Sequence, residues 1–292
     1  MSINRNARRG KSLLRAMMPL TGTALSLFFA RPAQAQFVFF EGTGANAAAI
    51  TPTRDSFRTA VGGGTVAGAN GSFGGVRREI NWDGVPDSLS DPNLLPANFF
   101  NVNSPRGVVL STPGTGFLVS ANAGGATAPL FGFPSDFAAF SPQRVFTAVN
   151  SNITDVNFFV PGTNTPAFTT AFGAIFTDVE VAGLTHIDLF DTNNNLLGGR
   201  DVLVSGNQGF SFLGAVATGG AQIGRVRLTS GLNTIVSNGT LGNPNDDVVV
   251  MDDFLYAEPQ AFPAATPEPG AYALLGGLAV PALLLYRRRR VR

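Results

Sequence analysis

Between residues 106 and 256 the chain repeats one pattern. Short runs alternate apolar and polar positions and are broken by Gly, Pro, Asn and Asp. Alternation with period two puts one set of side chains on a buried strand face and the other in solvent. The runs predict strands at 106–111, 116–121, 144–149, 155–160, 171–181, 185–190, 201–204, 209–216, 223–229 and 247–256. Ile187 and Leu189 should point inward and His186 and Asp188 outward; Val226 and Leu228 should point inward and Arg225 and Arg227 outward. Short strands separated by turns predict an all-β sandwich rather than alternating βα units. One helix is expected before them, capped by Thr51, with Pro52 in its first turn, Asp55 on its dipole and Gly62 to Gly64 at its end. The Gly/Ala-rich stretch 61–75 reads as a flexible loop.

Two apolar runs fall outside this pattern, one at each end. Near the start, Arg5, Arg8, Arg9, Lys11 and Arg15 form a basic region, followed by an apolar stretch to about Ala30. Ala33, Gln34 and Ala35 then offer a small-x-small cleavage site. This is the layout of a signal peptide over residues 1–35, with the mature chain starting at Gln36. Arg8 and Arg9 admit the twin-arginine route, but Gly10 and Lys11 follow where a hydrophobic residue is usual, so general export suits the sequence better. At the other end, residues 271–286 form an unbroken apolar run closed by Arg287 to Arg290. At about 1.5 Å per residue it spans roughly 24 Å, short of a ~30 Å hydrocarbon core. Local thinning and snorkelling arginines make up the difference. The run lacks the polar face of a soluble helix, so it reads as a transmembrane helix with its arginines cytoplasmic.

Setting both ends aside changes the charge picture. Nine basic and eighteen acidic residues remain, so the body carries −9 although the whole chain sums to +1. A body this acidic should repel nucleic acid and anionic lipid and attract divalent cations. The chain has no cysteine, which excludes disulfides, thiol catalysis and soft-metal sites. Phe, which has no polar handle, is the unusual core residue of the body.

Pro267, Glu268 and Pro269, then one hydrophobic helix, then a terminal basic cluster: this order resembles the PEP-CTERM sorting signal of exopolysaccharide-making Gram-negative bacteria. The resemblance implies recognition near that triplet by exosortase, a membrane protease, and loss of the helix as a GPI tail is lost. The body resembles a group of exported bacterial proteins without an assigned activity, over residues 77–87, 99–107, 172–179 and 250–256. That implies a jelly-roll-like β-sandwich of the kind seen in carbohydrate-binding modules, and nothing about chemistry. The expected organisation is a signal peptide at 1–35, an N-terminal segment at 36–75, a β-sandwich at 76–262, and a linker with the sorting signal at 263–292.

Candidate chemistry is sparse. His186 is the only histidine and lies on an outward strand face, which points to a solvated side chain. Asp191, Asn193 and Asn195 imitate the first half of a calcium loop, but Leu196 and Val202 occupy its required Gly and Glu positions, so the segment reads as a turn. Asp252 and Asp253 adjoin in an apolar strand and should point to opposite faces. At least one then faces a core layer and needs an arginine, backbone donors or a cation. A structural calcium is one solution, with further oxygens from Asp247, Asp178, Asp83 or Asp87. Glu79, Asp83 and Asp87 could also act as acid and base in glycoside hydrolysis. Trp82, between them, could stack on a sugar or plug the core.

The expected function is non-catalytic. The protein is read as exported to the periplasmic side of the inner membrane, then to the outer envelope or beyond, in a structural or adhesive role with exopolysaccharide. A calcium-dependent carbohydrate-binding module is the alternative, and a secreted glycosidase the weaker one.

Overall fold

The computed structural model describes residues 36–63, 77–125, 127–236, 240–241 and 246–263. The signal peptide with Ala35, most of the Gly-rich loop, and the tail with Pro267, Glu268 and Pro269 lie outside these residues. In chain order the elements are β1 (Gln36–Gly44), α1 (Ala47–Val61), β2 (Arg77–Ile80), α2 (Phe99–Val102), β3 (Val108–Ser111), β4 (Gly116–Val119), β5 (Phe146–Val149) and β6 (Ile153–Phe158). They continue with β7 (Ala167–Phe168), β8 (Ala171–Thr177), β9 (His186–Phe190), β10 (Leu196–Asp201), β11 (Phe210–Thr218) and β12 (Arg225–Thr229). The last are β13 (Ile235–Val236), β14 (Thr240–Leu241), β15 (Val250–Ala257) and β16 (Gln260–Ala261). The fold is all-β.

Among the described residues, a nine-stranded sheet runs β1-β11-β8-β15-β5-β13-β14, with β2 also on β15 and β4 also on β5. A five-stranded sheet runs β10-β9-β12-β6-β3, and β16 pairs with β7. One apolar core includes Phe146, Phe172, Phe254 and Tyr256 from the first sheet and Val156, Ile187, Leu189, Val226 and Leu228 from the second. Each such side chain stabilises the fold by about 1.5–3 kcal/mol on burial, so these facing rows hold the sandwich-like layers together. The expected alternation holds in the small sheet, where Val226 pairs with Leu189 and Leu228 with Ile187. Along β8 and β15 it fails, because every residue is buried.

The outer face of the large sheet is covered by α1. Ile50 and Phe57 pack on Phe212, Ile175 and Leu255. The helix can lie close because Gly214 has no side chain: a Cβ there would meet Phe57 Cδ2 at 2.6 Å. Residues 36–61 therefore belong to the same fold unit as the rest, with β1 paired to β11 along its length. The helix begins before Thr51. Asn46 caps it, accepting a hydrogen bond from Ala49 N–H at 3.1 Å, and Thr51 donates to Ala47 O from inside the helix. Asn is a strong cap and the alanines after it are strong helix formers, which moves the start by a full turn.

Candidate functional site

The strand beside β15 is interrupted. β5 meets it at Met251, and β2 meets it from Phe254 to Ala257. Asp252 and Asp253 fall in the gap, where the register against β8 also shifts. This bulge overturns the expected opposite orientations. Ser141 Oγ lies 3.1 Å from Asp252 Oδ1, 3.0 Å from Asp253 Oδ1 and 3.2 Å from Asp83 Oδ2, so both carboxyls reach the same point. Phe140 N–H donates to Asp252 Oδ2 at 2.6 Å, and Asp83 accepts from the N–H groups of Gln143 and Arg144.

A hydroxyl has one hydrogen, so Ser141 cannot satisfy three ionised carboxylates. Burial, and then the charge of Asp253, push the Asp252 carboxyl well above its ordinary range. Burial also raises Asp253 and Asp83. A carboxyl that keeps its proton can donate to its neighbour, which removes the need for a full set of counter-charges.

The six acids named as calcium ligands are not all brought together. Asp87 pairs with Arg144 and has a side chain 77% exposed. Asp247 accepts from Glu180 and Val181 N–H, and Asp178 from Gln208 N–H, at a separate place on the sheet. Asp83, Asp252 and Asp253 do converge, but on a hydroxyl. Among the described residues no group of three or more acidic or histidine side chains is placed to hold a metal ion.

Trp82 is 1% exposed. One indole face stacks on Phe146 at 3.9 Å, Phe100 and Phe254 meet it edge-on, and its N–H donates to Asp252 O at 2.7 Å. With one face on Phe146 and edges met by Phe100 and Phe254 the ring packs as a core plug, and Trp82 also lines the cavity beside it. It also centres a tight turn, at φ 64°, in which Asp83 N–H donates to Asn81 O. Bulky residues rarely adopt this conformation, so burial of the ring must offset the strain.

Beside this cluster opens a cavity of about 530 Å³. Its lining includes Thr51, Arg54 and Arg58 of α1, Glu79, Asn81 and Trp82 in and after β2, Phe99, Phe100 and Arg106, and Phe140 and Asp253. Arg58 grips Glu79 through Nε at 2.9 Å and Nη2 at 2.5 Å, and Arg77 Nε reaches the same carboxylate at 2.6 Å. Arg54 stands over the Phe140 ring at 5.0 Å. Of the carboxylates considered for hydrolysis, only Glu79 lines this cavity.

His186 lies on the outer face of the small sheet, with Nδ1 2.6 Å from Asp201 and Nε2 3.0 Å from Asp188. It does not line the cavity. Sequence reasoning missed Arg54, Arg58 and Ser141. A usable signal existed for the first two: they are two of only nine basic residues in the body and sit one helical turn apart.

No known protein family matches the chain, and no curated protein or solved structure matches it either.

Proposed function

We propose that the chain is an exported, non-catalytic envelope or matrix protein whose all-β body, a jelly-roll-like sandwich, holds exopolysaccharide in the cavity beside α1. A signal peptide ending at Ala35 delivers it, and a PEP-CTERM tail presents Pro267, Glu268 and Pro269 to an exosortase-type protease. The cavity carries the ligand reading: its volume falls within the usual range for small-ligand sites, and its wall mixes hydrogen-bonding side chains with Phe faces. What supports a non-catalytic role is the engagement of Glu79, whose two oxygens are both held by arginines. A glycosidase would need two free carboxylates across the bond; Asp83 and Asp87 do not line the cavity, and Asp253, which does, is engaged by the Ser141 hydroxyl.

The calcium-dependent alternative needs a cation among Asp83, Asp252 and Asp253, where the Ser141 hydroxyl sits. The melting temperature should therefore be the same in millimolar calcium and in EDTA; a rise with calcium that EDTA reverses restores that alternative. The cavity itself is tested by filling it. Gly84 lines it, and a Cβ there meets nothing within 4 Å. Gly84→Phe should abolish binding to the producer's exopolysaccharide in calorimetry while leaving the fold intact. Unchanged binding in that variant refutes the proposal.

A further inference from the structure

The arginines of this acidic body are unevenly placed. Of the nine, Arg54, Arg58 and Arg106 line the cavity, and Arg77 joins them through Glu79. Arg58 is fully engaged, with Nε and Nη2 on Glu79 and Nη1 on Asp55. Arg54 is held differently. Its Nε and Nη2 both reach one oxygen, Asp55 Oδ1, at 3.0 and 2.8 Å. The Asp55 side chain is 50% exposed, against 14% for Arg54. The Asp55 side of this pair faces solvent, which weakens it relative to the enclosed Arg58–Glu79 pair. The Phe140 ring meanwhile holds the guanidinium at the cavity wall.

We propose that the cavity takes a carboxylate-bearing sugar, a uronic acid residue of an acidic polysaccharide, with Arg54 exchanging Asp55 for the sugar carboxylate. A planar carboxylate matches the guanidinium fork, which a neutral sugar does not use. Thr51 and Asn81 add polar lining for the ring hydroxyls, the Thr51 hydroxyl as an acceptor because it donates to Ala47 O. Glu79 is neutralised by Arg58 and Arg77. Asp253, the other acid on the wall, is raised by burial and so opposes an anion less. Local arginines thus offset the repulsion expected from the body's −9 charge.

This inference rests on the polysaccharide reading of the same cavity, and the test separates the two. Binding of the purified protein to short galacturonate and glucuronate oligosaccharides, to neutral gluco-oligosaccharides and to oligoglutamate is measured by calorimetry at two salt concentrations. Uronates should bind best and weaken with salt. Arg54→Gln should weaken them roughly 10- to 100-fold, with partial recovery in Arg54→Lys. Gly84→Phe should remove binding altogether. Equal binding of neutral sugars, unaffected by Arg54→Gln, overturns the carboxylate assignment and leaves the polysaccharide site standing. Oligoglutamate binding as tightly as uronates overturns the sugar class. Failure of every oligosaccharide overturns both readings.

Discussion

Asp178 offers a direct measure of how strongly this fold buries acid. It follows β8 with φ 73°, donating its backbone N–H to Gly209 O and accepting Gln208 N–H on Oδ1 at 3.1 Å. The residue is only 6% exposed. Burial, with the charges of Glu180, Asp136 and Asp247 adding to it against the Gln208 hydrogen bond, pushes the carboxyl from 3.8 up to about 7. Below 3.8 the acid is neutral in both folded and unfolded chains. Between that value and about 7 the unfolded chain ionises while the folded one keeps its proton, so stability falls as pH rises. Above 7 the loss is complete. At about 1.4 kcal/mol per pH unit, the interval amounts to at most about 4 kcal/mol. Asn preserves the shape and the Oδ1 acceptor and tolerates the left-handed backbone. Urea unfolding of Asp178→Asn should match the wild type near pH 4 and exceed it near pH 8, by up to about 4 kcal/mol. A difference that stays constant across this range, or a variant less stable near pH 8, refutes the burial explanation.

Other expectations follow from the same contacts. Trp82→Ala removes a ring packed among three Phe side chains and should cost about 3–5 kcal/mol in urea unfolding; a loss under about 1 kcal/mol would mean the ring is not the plug. Arg78 and Glu258 form a bidentate pair, with side chains 0% and 1% exposed. Arg78→Met alone should cost about 3–5 kcal/mol by removing the bidentate partner of buried Glu258, whereas replacing both with Met should recover most of it; equal losses would show that packing rather than charge sets the cost. Mass spectrometry of protein from the exporting host should find neither residues 1–35 nor the helix at 271–286; recovery of only the full-length form contradicts the sorting reading.

The clearest parts of the sequence were those where one face meets the core and the other meets water. In β9 and β12, period-two alternation alone placed Ile187, Leu189, Val226 and Leu228 inward. Of the expected strand at 201–204 only Asp201 is in a strand, as the last residue of β10, since the hairpin register with β9 carries pairing from Leu196 to Asp201 and then stops. β2 was invisible for another reason. Arg77, Arg78 and Glu79 are three charged residues in a row without apolar alternation, yet all three are buried, with Arg58 and Glu258 reaching them from distant parts of the chain. The cavity is of the same kind, assembled from α1, β2, β15 and the segment around Phe140.

Local composition and period were enough to establish an all-β body, the inward rows of the small sheet, and an acidic charge distinct from that of the basic ends. Those properties depend on neighbours in sequence, where side-chain direction follows from strand geometry. Tertiary structure decided what Asp252 and Asp253 do, because a bulge between two partner strands turned both toward Ser141. It also decided that Trp82 is enclosed and that α1 brings Arg54 and Arg58 to the cavity. Such outcomes depend on which distant groups supply or withhold a counter-charge, and no local pattern along the chain encodes that pairing.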